Sequence, residues 1–428
     1  MSTRRKIKNI LILAGGDSGR FWPLDNKILW KFLGMPLIIH ILKQLDKYGD
    51  NIYIIGNPNN IDLIQEVVLQ YGYANRVKVL MQNSKMEGQA GAVDSVQNVV
   101  NGELLIVNAS DYLDFSVLEK ITTELHRERR IVLFGKKYPD YFPGGYFKFN
   151  ESNKVVEIIE KPGKDNMPSD VVKLVLDYFS DSSILFEYLS STLSDKDDIY
   201  EQALNRILKH AGYDNDYHVY EGEFVSLKYP WHVLSMMKTF LGSINAQSIA
   251  SSARVSQKAE IIGNVHVGEN VVIGDYVKIV GPTFIDDNVF IGDFSLIRES
   301  HIGKECLVGS YSEVTRTYIG DKVSLHRNYV GDSVLGNNVL CGAFAVTANL
   351  RFDGKTVHSI VGDSLIDSYL PKLGAIIGHN SKIGINTSFF PGVKVGRNTW
   401  IWPGEKVSHD IADNMFFKDG NAISNTKQ

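Results

Sequence analysis

Cysteine is scarce: Cys306 and Cys341 are the only two in 428 residues. That excludes a disulfide framework, and their spacing fits no metal-ligand pattern, so a reducing compartment is expected and both thiols read as small buried hydrophobes. Long apolar runs are missing too. No stretch approaches the roughly 20 apolar residues of a membrane span. The run Ile10 to Ala14, behind the basic segment Met1 to Lys8, is too short for a signal-peptide core. A cytoplasmic protein without a membrane partner is the expectation. Nor is there an excess of one charge: a formal net charge of -4 provides no basic face for nucleic acid, so the expected partners are small molecules.

What is present is ordinary globular content, 44% hydrophobic and 22% charged, in a chain longer than one hydrophobic core sustains, so two domains are expected. Up to about residue 240, apolar runs at Asn9 to Ala14, Ile52 to Ile55, Val77 to Met81, Leu104 to Asn108 and Ile131 to Phe134 alternate with amphipathic stretches such as Leu37 to Tyr48 and Asn60 to Tyr71. This βαβ spacing predicts an α/β domain over 1–240, Rossmann-like, with a mostly parallel sheet covered on both faces. Ligands of such sheets bind beyond the carboxyl ends of the strands, which points to the loops after Leu13, Met81 and Asn108.

From about residue 255 the period shortens to six. Val267-Gly268, Ile273-Gly274, Ile279, Ile285, Ile291-Gly292 and Ile297 keep this phase, as do Ile302-Gly303 and Val308-Gly309; it returns at Ile377-Gly378, Ile383-Gly384, Val395-Gly396 and Ile401. A hexapeptide repeat of this kind predicts a parallel β-helix over 241–428, its aliphatic residues inward and its glycines turning the corners. Flat outer faces make a homotrimer the expected assembly. The break from Phe344 to Leu373 is longer than a turn needs and is expected to be functional or disordered.

The segment Leu11 to Leu24 carries Ala14-Gly15-Gly16-Asp17-Ser18-Gly19-Arg20 after an apolar strand. Glycines let backbone N–H groups approach an anion, and the Arg20 fork suits phosphate oxygens, although glycine after a strand is also common in plain turns. The stretch resembles the signature of sugar-1-phosphate nucleotidyltransferases, with Pro23, Lys31 and Gly34-Met35-Pro36-Leu37 following in order. Gly19 and Met35 depart from the usual Thr and Lys. Lys27 competes with Lys31 for the lysine role, and spacing from Pro23 favours Lys31.

Further matches support the resemblance. Gln82 and Gly88-Gln89-Ala90-Gly91-Ala92 resemble the second nucleotide-contacting loop, Asn108-Ala109-Ser110-Asp111 takes the place of the metal-binding motif, and Glu160-Lys161-Pro162 that of the sugar-contacting one. The resemblance implies that Ala14, Gly15, Gly16, Gln82 and Gly88 bind a nucleoside triphosphate (NTP), that Arg20 and Lys31 act on its phosphates, that Asp111 holds Mg²⁺, and that Glu160 and Lys161 orient a sugar 1-phosphate. The plainer alternatives are a solvated loop carboxylate for Asp111 and an exposed charge pair for Glu160 and Lys161. Tyr229-Pro230-Trp231 resembles the motif closing the catalytic domain, with Trp231 as core packing; the next residue, usually a second metal ligand, is His232. Imidazole suits Mg²⁺ poorly, which leaves three alternatives: Asp111 with water and phosphates, Mn²⁺, or reduced activity.

The repeats resemble the acetyltransferase half of the bifunctional N-acetylglucosamine-1-phosphate uridyltransferase and glucosamine-1-phosphate acetyltransferase family, archaeal-type, through Leu325-His326-Arg327-Asn328-Tyr329-Val330-Gly331 and Thr347-Ala348-Asn349 up to Lys355. This implies a left-handed β-helix in which His326 is the general base toward acetyl-CoA and Tyr329, Asn349 and Lys355 bind the acyl acceptor. Leu340, Phe344, Thr315 and His358 depart from the family pattern at this site. Three readings follow: a nucleotidyltransferase with a trimerising β-helix, the same enzyme with a working acyltransferase, and a catalytically silent subunit that binds nucleotide sugar.

Overall fold

The computed structural model describes residues 5–16, 18–82, 86, 88–119, 130–195, 198–210, 212 and 214–425. They form two compact units: Met1–Asp17 with Leu37–Phe224, and Ser18–Pro36 with Val225–Gln428. The chain thus passes to the second unit after Asp17 and returns to the first at Leu37.

The first unit is built on a nine-stranded sheet. Its centre is β1 (Ile7–Leu13), paired in parallel with β2 (Gly49–Gly56) and β4 (Leu104–Asn108), while β3 (Val77–Met81) extends β2. Ile10, Leu11 and Ile12 are wholly buried, which is why this strand reads as a continuous apolar run. Helix α1 (Leu37–Leu45) buries Leu37, Ile38, Ile41, Leu42 and Leu45. Registers place Leu13 opposite Ile55 and Asn108, and Gly56 opposite Met81. The loops after Leu13, Met81 and Asn108 therefore leave one edge together, as the strand-end rule predicts.

Beyond β4 the sheet turns antiparallel. The strand β8 (Val171–Phe179) runs against β4, β5 (Arg130–Lys137) and β6 (Gly145–Phe149), β7 (Val155–Glu160) runs against β6, and β9 (Asp214–Val219) is parallel to β5. Apolar spacing reveals strands but not their direction, so this half of the sheet was not legible in advance.

The second unit holds a helix, His232–Gly242, and a β-helix of three long sheets with eight, ten and eight strands, parallel except for the antiparallel pair Met415–Lys418 and Asn421–Ser424 that ends the ten-stranded one. Val265 pairs with Thr283, Phe284 with His301, and Tyr318 with Val334, so the coil shortens from 18 residues to 17 and then 16. The inward residues are the aliphatic ones of the repeat, joined by Cys306 and Cys341, both buried thiols.

The glycines differ from their expected role. Left-handed backbone occurs two residues later, at Asn270 (φ 56°) after Gly268, Phe294 (φ 60°) after Gly292 and Asn386 (φ 56°) after Gly384. The glycine itself is needed for space, since a Cβ on Gly268 would stand 2.8 Å from the Asp287 nitrogen and one on Gly292 2.6 Å from the Ser310 nitrogen. Stacked coils approach too closely for any side chain there. The break after Phe344 contains an antiparallel hairpin, His358–Val361 with Ser364–Asp367, tied to the scaffold by the Ser359 hydroxyl donating to the Gly392 carbonyl at 2.9 Å.

Candidate active site

In the first unit, three of the predicted nucleotide-binding elements meet. A Cβ on Gly15 would overlap the Gln82 carboxamide, whose Nε2 donates to the Gly88 carbonyl at 3.1 Å. Gly91 is equally confined, by the Met86 carbonyl and Gln82. Two residues absent from the sequence expectations hold the loop: Asn60 Nδ2 donates to the Ala14 carbonyl at 2.8 Å and Asn57 Nδ2 to the Gly15 carbonyl at 3.0 Å. A trans peptide sets its N–H opposite its C=O, so pinning these two carbonyls aims the Gly15 and Gly16 amides away from the 57–60 turn. The available signal was the turn cluster Asn57-Pro58-Asn59-Asn60 directly after β2.

Asp111 follows β4 at the same edge. The Ala109 N–H donates to the Leu13 carbonyl at 3.0 Å, and the Ser110 hydroxyl donates to Asn108 Oδ1 at 3.2 Å. Asp111 is only 6% exposed, which excludes a solvated loop carboxylate. After burial, its charge is the next cause holding the Tyr138 phenol above its ordinary range. A buried carboxylate is a hard oxygen donor that fits Mg²⁺, and among the described residues no group of three or more His, Cys, Asp or Glu is arranged around a metal. An ion held at Asp111 would draw its remaining ligands from phosphate and water.

Glu160 ends β7 and Lys161 Nζ lies 3.2 Å from its Oε1, with the Lys161 side chain 56% exposed. Behind them is a buried group that sequence reading missed. Lys173 and Asp177 form an ion pair at 2.7 Å, and the Tyr200 hydroxyl donates to Asp177 Oδ2 at 2.7 Å. Burial, helped by the charges of Glu160 and Asp177 and opposed by Lys173, raises the Glu201 carboxyl to about 7.

In the second unit the signature segment lies on the β-helix. Arg20 is exposed, in the turn Gly19–Phe21, and Lys27 opens the turn Lys27–Leu29. Lys31 is ion-paired with Asp321, Nζ to Oδ2 at 2.7 Å, and its carbonyl accepts from the Tyr318 hydroxyl at 2.8 Å. The structure thus places the Lys31 ammonium on a carboxylate of the coil. Trp231 is core, as expected, at 1% exposure. His232 Nδ1 lies 2.8 Å from the Ser226 carbonyl and 3.2 Å from the Lys228 nitrogen, so this ring nitrogen is engaged by the backbone just before it. Burial pushes its pKa down to about 4, so the ring is a neutral member of its own turn and does not fit as a ligand for a hard ion.

The acetyltransferase-like residues are brought together only in part. Asn349 Nδ2 donates to the Tyr329 hydroxyl at 3.2 Å and to Asp332 Oδ2 at 2.6 Å, and Arg316 grips Asp332 with Nε and Nη2, both at 2.7 Å. His326 is exposed, its backbone N–H bound to Asn328 Oδ1 at 2.5 Å, and Lys355 is exposed in the inserted segment. Phe344 does not plug the coil. Its ring is 50% exposed and lies under the Arg327 guanidinium at 5.0 Å.

A parallel sheet whose strand ends gather a pinned glycine loop, a carboxamide and a buried carboxylate defines a nucleotide-handling α/β enzyme carrying a β-helix. Residues 9–223 match the family described as nucleotidyl transferase, and residues 243–357 match the GMPPB C-terminal domain. The chain belongs to the nucleotidyl transferase family. It is similar to the bifunctional protein GlmU of Methanocaldococcus jannaschii, 30% identical over 425 residues that cover 95% of this chain and 96% of that protein. It is also similar to the bifunctional protein GlmU of Methanococcus maripaludis strain C7, 29% identical over 422 residues with coverages of 95% and 96%. A bifunctional sugar-1-phosphate nucleotidylyltransferase/acetyltransferase of Sulfurisphaera tokodaii is 29% identical over 423 residues, covering 95% of this chain and 99% of that one. Among the described residues no helix is long and apolar enough to cross a membrane.

Proposed function

We propose that this chain joins a nucleoside triphosphate to a sugar 1-phosphate. A phosphate oxygen of the sugar attacks the α-phosphorus, the bond to the bridging oxygen of the β-phosphate breaks, and pyrophosphate leaves with both electrons of that bond. The observation that carries this is the meeting of Ala14, Gly15, Gln82 and Gly88 at one strand edge, with Asn57 and Asn60 fixing the loop carbonyls. Catalysis is then positioning and charge neutralisation. The Gly15 and Gly16 amides and Arg20 hold the phosphates, and Glu160 and Lys161 orient the sugar phosphate. With Lys31 occupied by Asp321, the charge growing on the α-phosphoryl oxygens falls to Arg20 and Lys27. A bound Mg²⁺ or Mn²⁺ supplies charge neutralisation at the phosphates, and Asp111 is the residue that would hold it.

The enzyme is proposed to work in the cytoplasm as a homotrimer assembled through the β-helix. Pyrophosphate release across a matrix of nucleoside triphosphates and sugar 1-phosphates, with either ion, tests the reading. One productive pairing, reduced at least about a hundredfold in Asp111→Ala with nucleotide binding retained, is expected. Silence across the matrix with nucleotide binding intact would sink it in favour of a silent binding subunit. Acetyl transfer from acetyl-CoA is a second reading, favoured by the network joining Tyr329, Asn349 and Asp332.

A further inference from the structure

The signature segment Ser18–Pro36 is fastened to the β-helix at three places, all within the second unit. Trp22 Nε1 donates to Asp413 Oδ1 at 2.9 Å, and Arg397 bridges Asp25 at 3.0 Å and Asp413 at 2.6 Å. Trp30 packs on Tyr318, ring centroids 5.0 Å apart, and Phe32 on the same ring at 5.8 Å. Between these two rings, Lys31 is held by its main chain and its side chain at once, through the Tyr318 hydroxyl and the Asp321 carboxylate. Asp321 is itself fixed, since its Oδ1 accepts from the Lys304 N–H at 3.1 Å.

We infer that Lys31 and Asp321 form a clamp by which the β-helix positions the phosphate-binding segment around Arg20 and Lys27, making Asp321 a positioning residue for nucleotide handling. The inference rests on the transferase reading for its consequence, though not for the clamp itself. Short apolar contacts alone would hold the segment against the coil but leave it able to slide. A charge pair and a hydroxyl on one residue fix its register, and a phosphate site is sensitive to displacements of about 1 Å. The β-helix is then a working part of the transferase as well as an assembly surface.

Asp321→Asn keeps an oxygen acceptor for the Lys304 N–H and replaces the charged acceptor facing Lys31 by an amide group, so the coil is expected to fold. Asp321→Asn, Lys31→Met and the double variant are compared in the full chain by steady-state pyrophosphate release and by amide hydrogen exchange of residues 18–36. Each single variant is expected to raise KM for the nucleotide about tenfold, the effect of one lost charge-assisted contact, with kcat nearly unchanged. The double variant is expected to be no worse than either single one, and exchange in 18–36 to rise in all three. A loss of turnover of a hundredfold or more in Lys31→Met, beside a near-normal Asp321→Asn, would overturn the clamp and return Lys31 to the substrate. Unchanged exchange in Asp321→Asn would overturn it equally. Faster exchange in a protein whose unmodified form releases no pyrophosphate would leave the clamp standing and defeat the transferase reading instead.

Discussion

Replacing Gly384 by alanine places a Cβ 2.7 Å from both the Pro403 Cα and the Trp402 carbonyl carbon, and closer still to the Pro403 nitrogen. All three are backbone atoms of the next coil, so no side chain can swing away and the coils themselves must part. Overpacking of this kind costs about 1–3 kcal/mol, and rigid neighbours put it near the upper end. In a unit of this size each kcal/mol lowers the midpoint by about 2–4 °C, so a fall of about 6–12 °C is expected. Asn386, two residues on, has the left-handed φ of 56° and is exposed. Asn386→Gly relieves local strain of about 1 kcal/mol and loses a similar amount through the greater freedom of the unfolded chain, leaving the midpoint within about 2 °C. Scanning calorimetry of both variants, reading the β-helix transition, is the assay. If Gly384→Ala melts like the parent, the hexad glycine is not needed for space and the packing account is wrong.

The two units are expected to respond to acid in opposite directions. His301 is buried between Phe284 and Tyr318, ring centroids 5.1 and 4.6 Å away, and burial pushes its pKa down to about 4. Between that value and about 6.5 the unfolded chain binds more protons, so this stability is complete above the upper limit and falls by about 2 kcal/mol from pH 7 to pH 5. Glu201 in the first unit is raised to about 7, so its folded form binds more protons and that unit gains stability as pH falls toward about 4.5. Calorimetry at pH 7 and pH 5 should show the transitions moving apart in these directions, and a His301→Gln variant should lose its share of the β-helix shift. For the second reading of the β-helix, release of free thiol from acetyl-CoA in the presence of an amino-sugar phosphate should fall at least about a hundredfold in His326→Ala. Activity that persists in that variant would remove His326 as the base.

Much of the architecture was legible because it is periodic. The strands around Ile10, Ile54, Val79 and Ile106 and the buried helix Leu37–Leu45 follow from apolar spacing, and the six-residue phase predicts the β-helix. The glycine loop was legible because the residues that follow it, Arg20, Pro23 and Gly34 to Leu37, complete a family signature that glycines after a strand do not make alone. Asn57 and Asn60 were not, since a carboxamide in a turn carries no sign of which distant carbonyl it will meet. Lys31 shows the same limit from the other side: spacing selected it, but its partner Asp321 lies 290 residues away in the chain.

By itself the sequence determined the two kinds of periodicity, the place of the glycine loop at the strand ends, and the buried state of Cys306, Cys341 and Trp231, because each depends on local chemistry or on period. Only the tertiary structure decided that the sheet continues antiparallel beyond β4, that the hexad glycines serve coil contact and not the corner, and that the signature segment is shared between two units. Those outcomes depend on which surfaces meet after the chain has folded back. A carboxylate at position 321 becomes the partner of a lysine at 31 only when the coils have stacked and brought Tyr318 under Trp30.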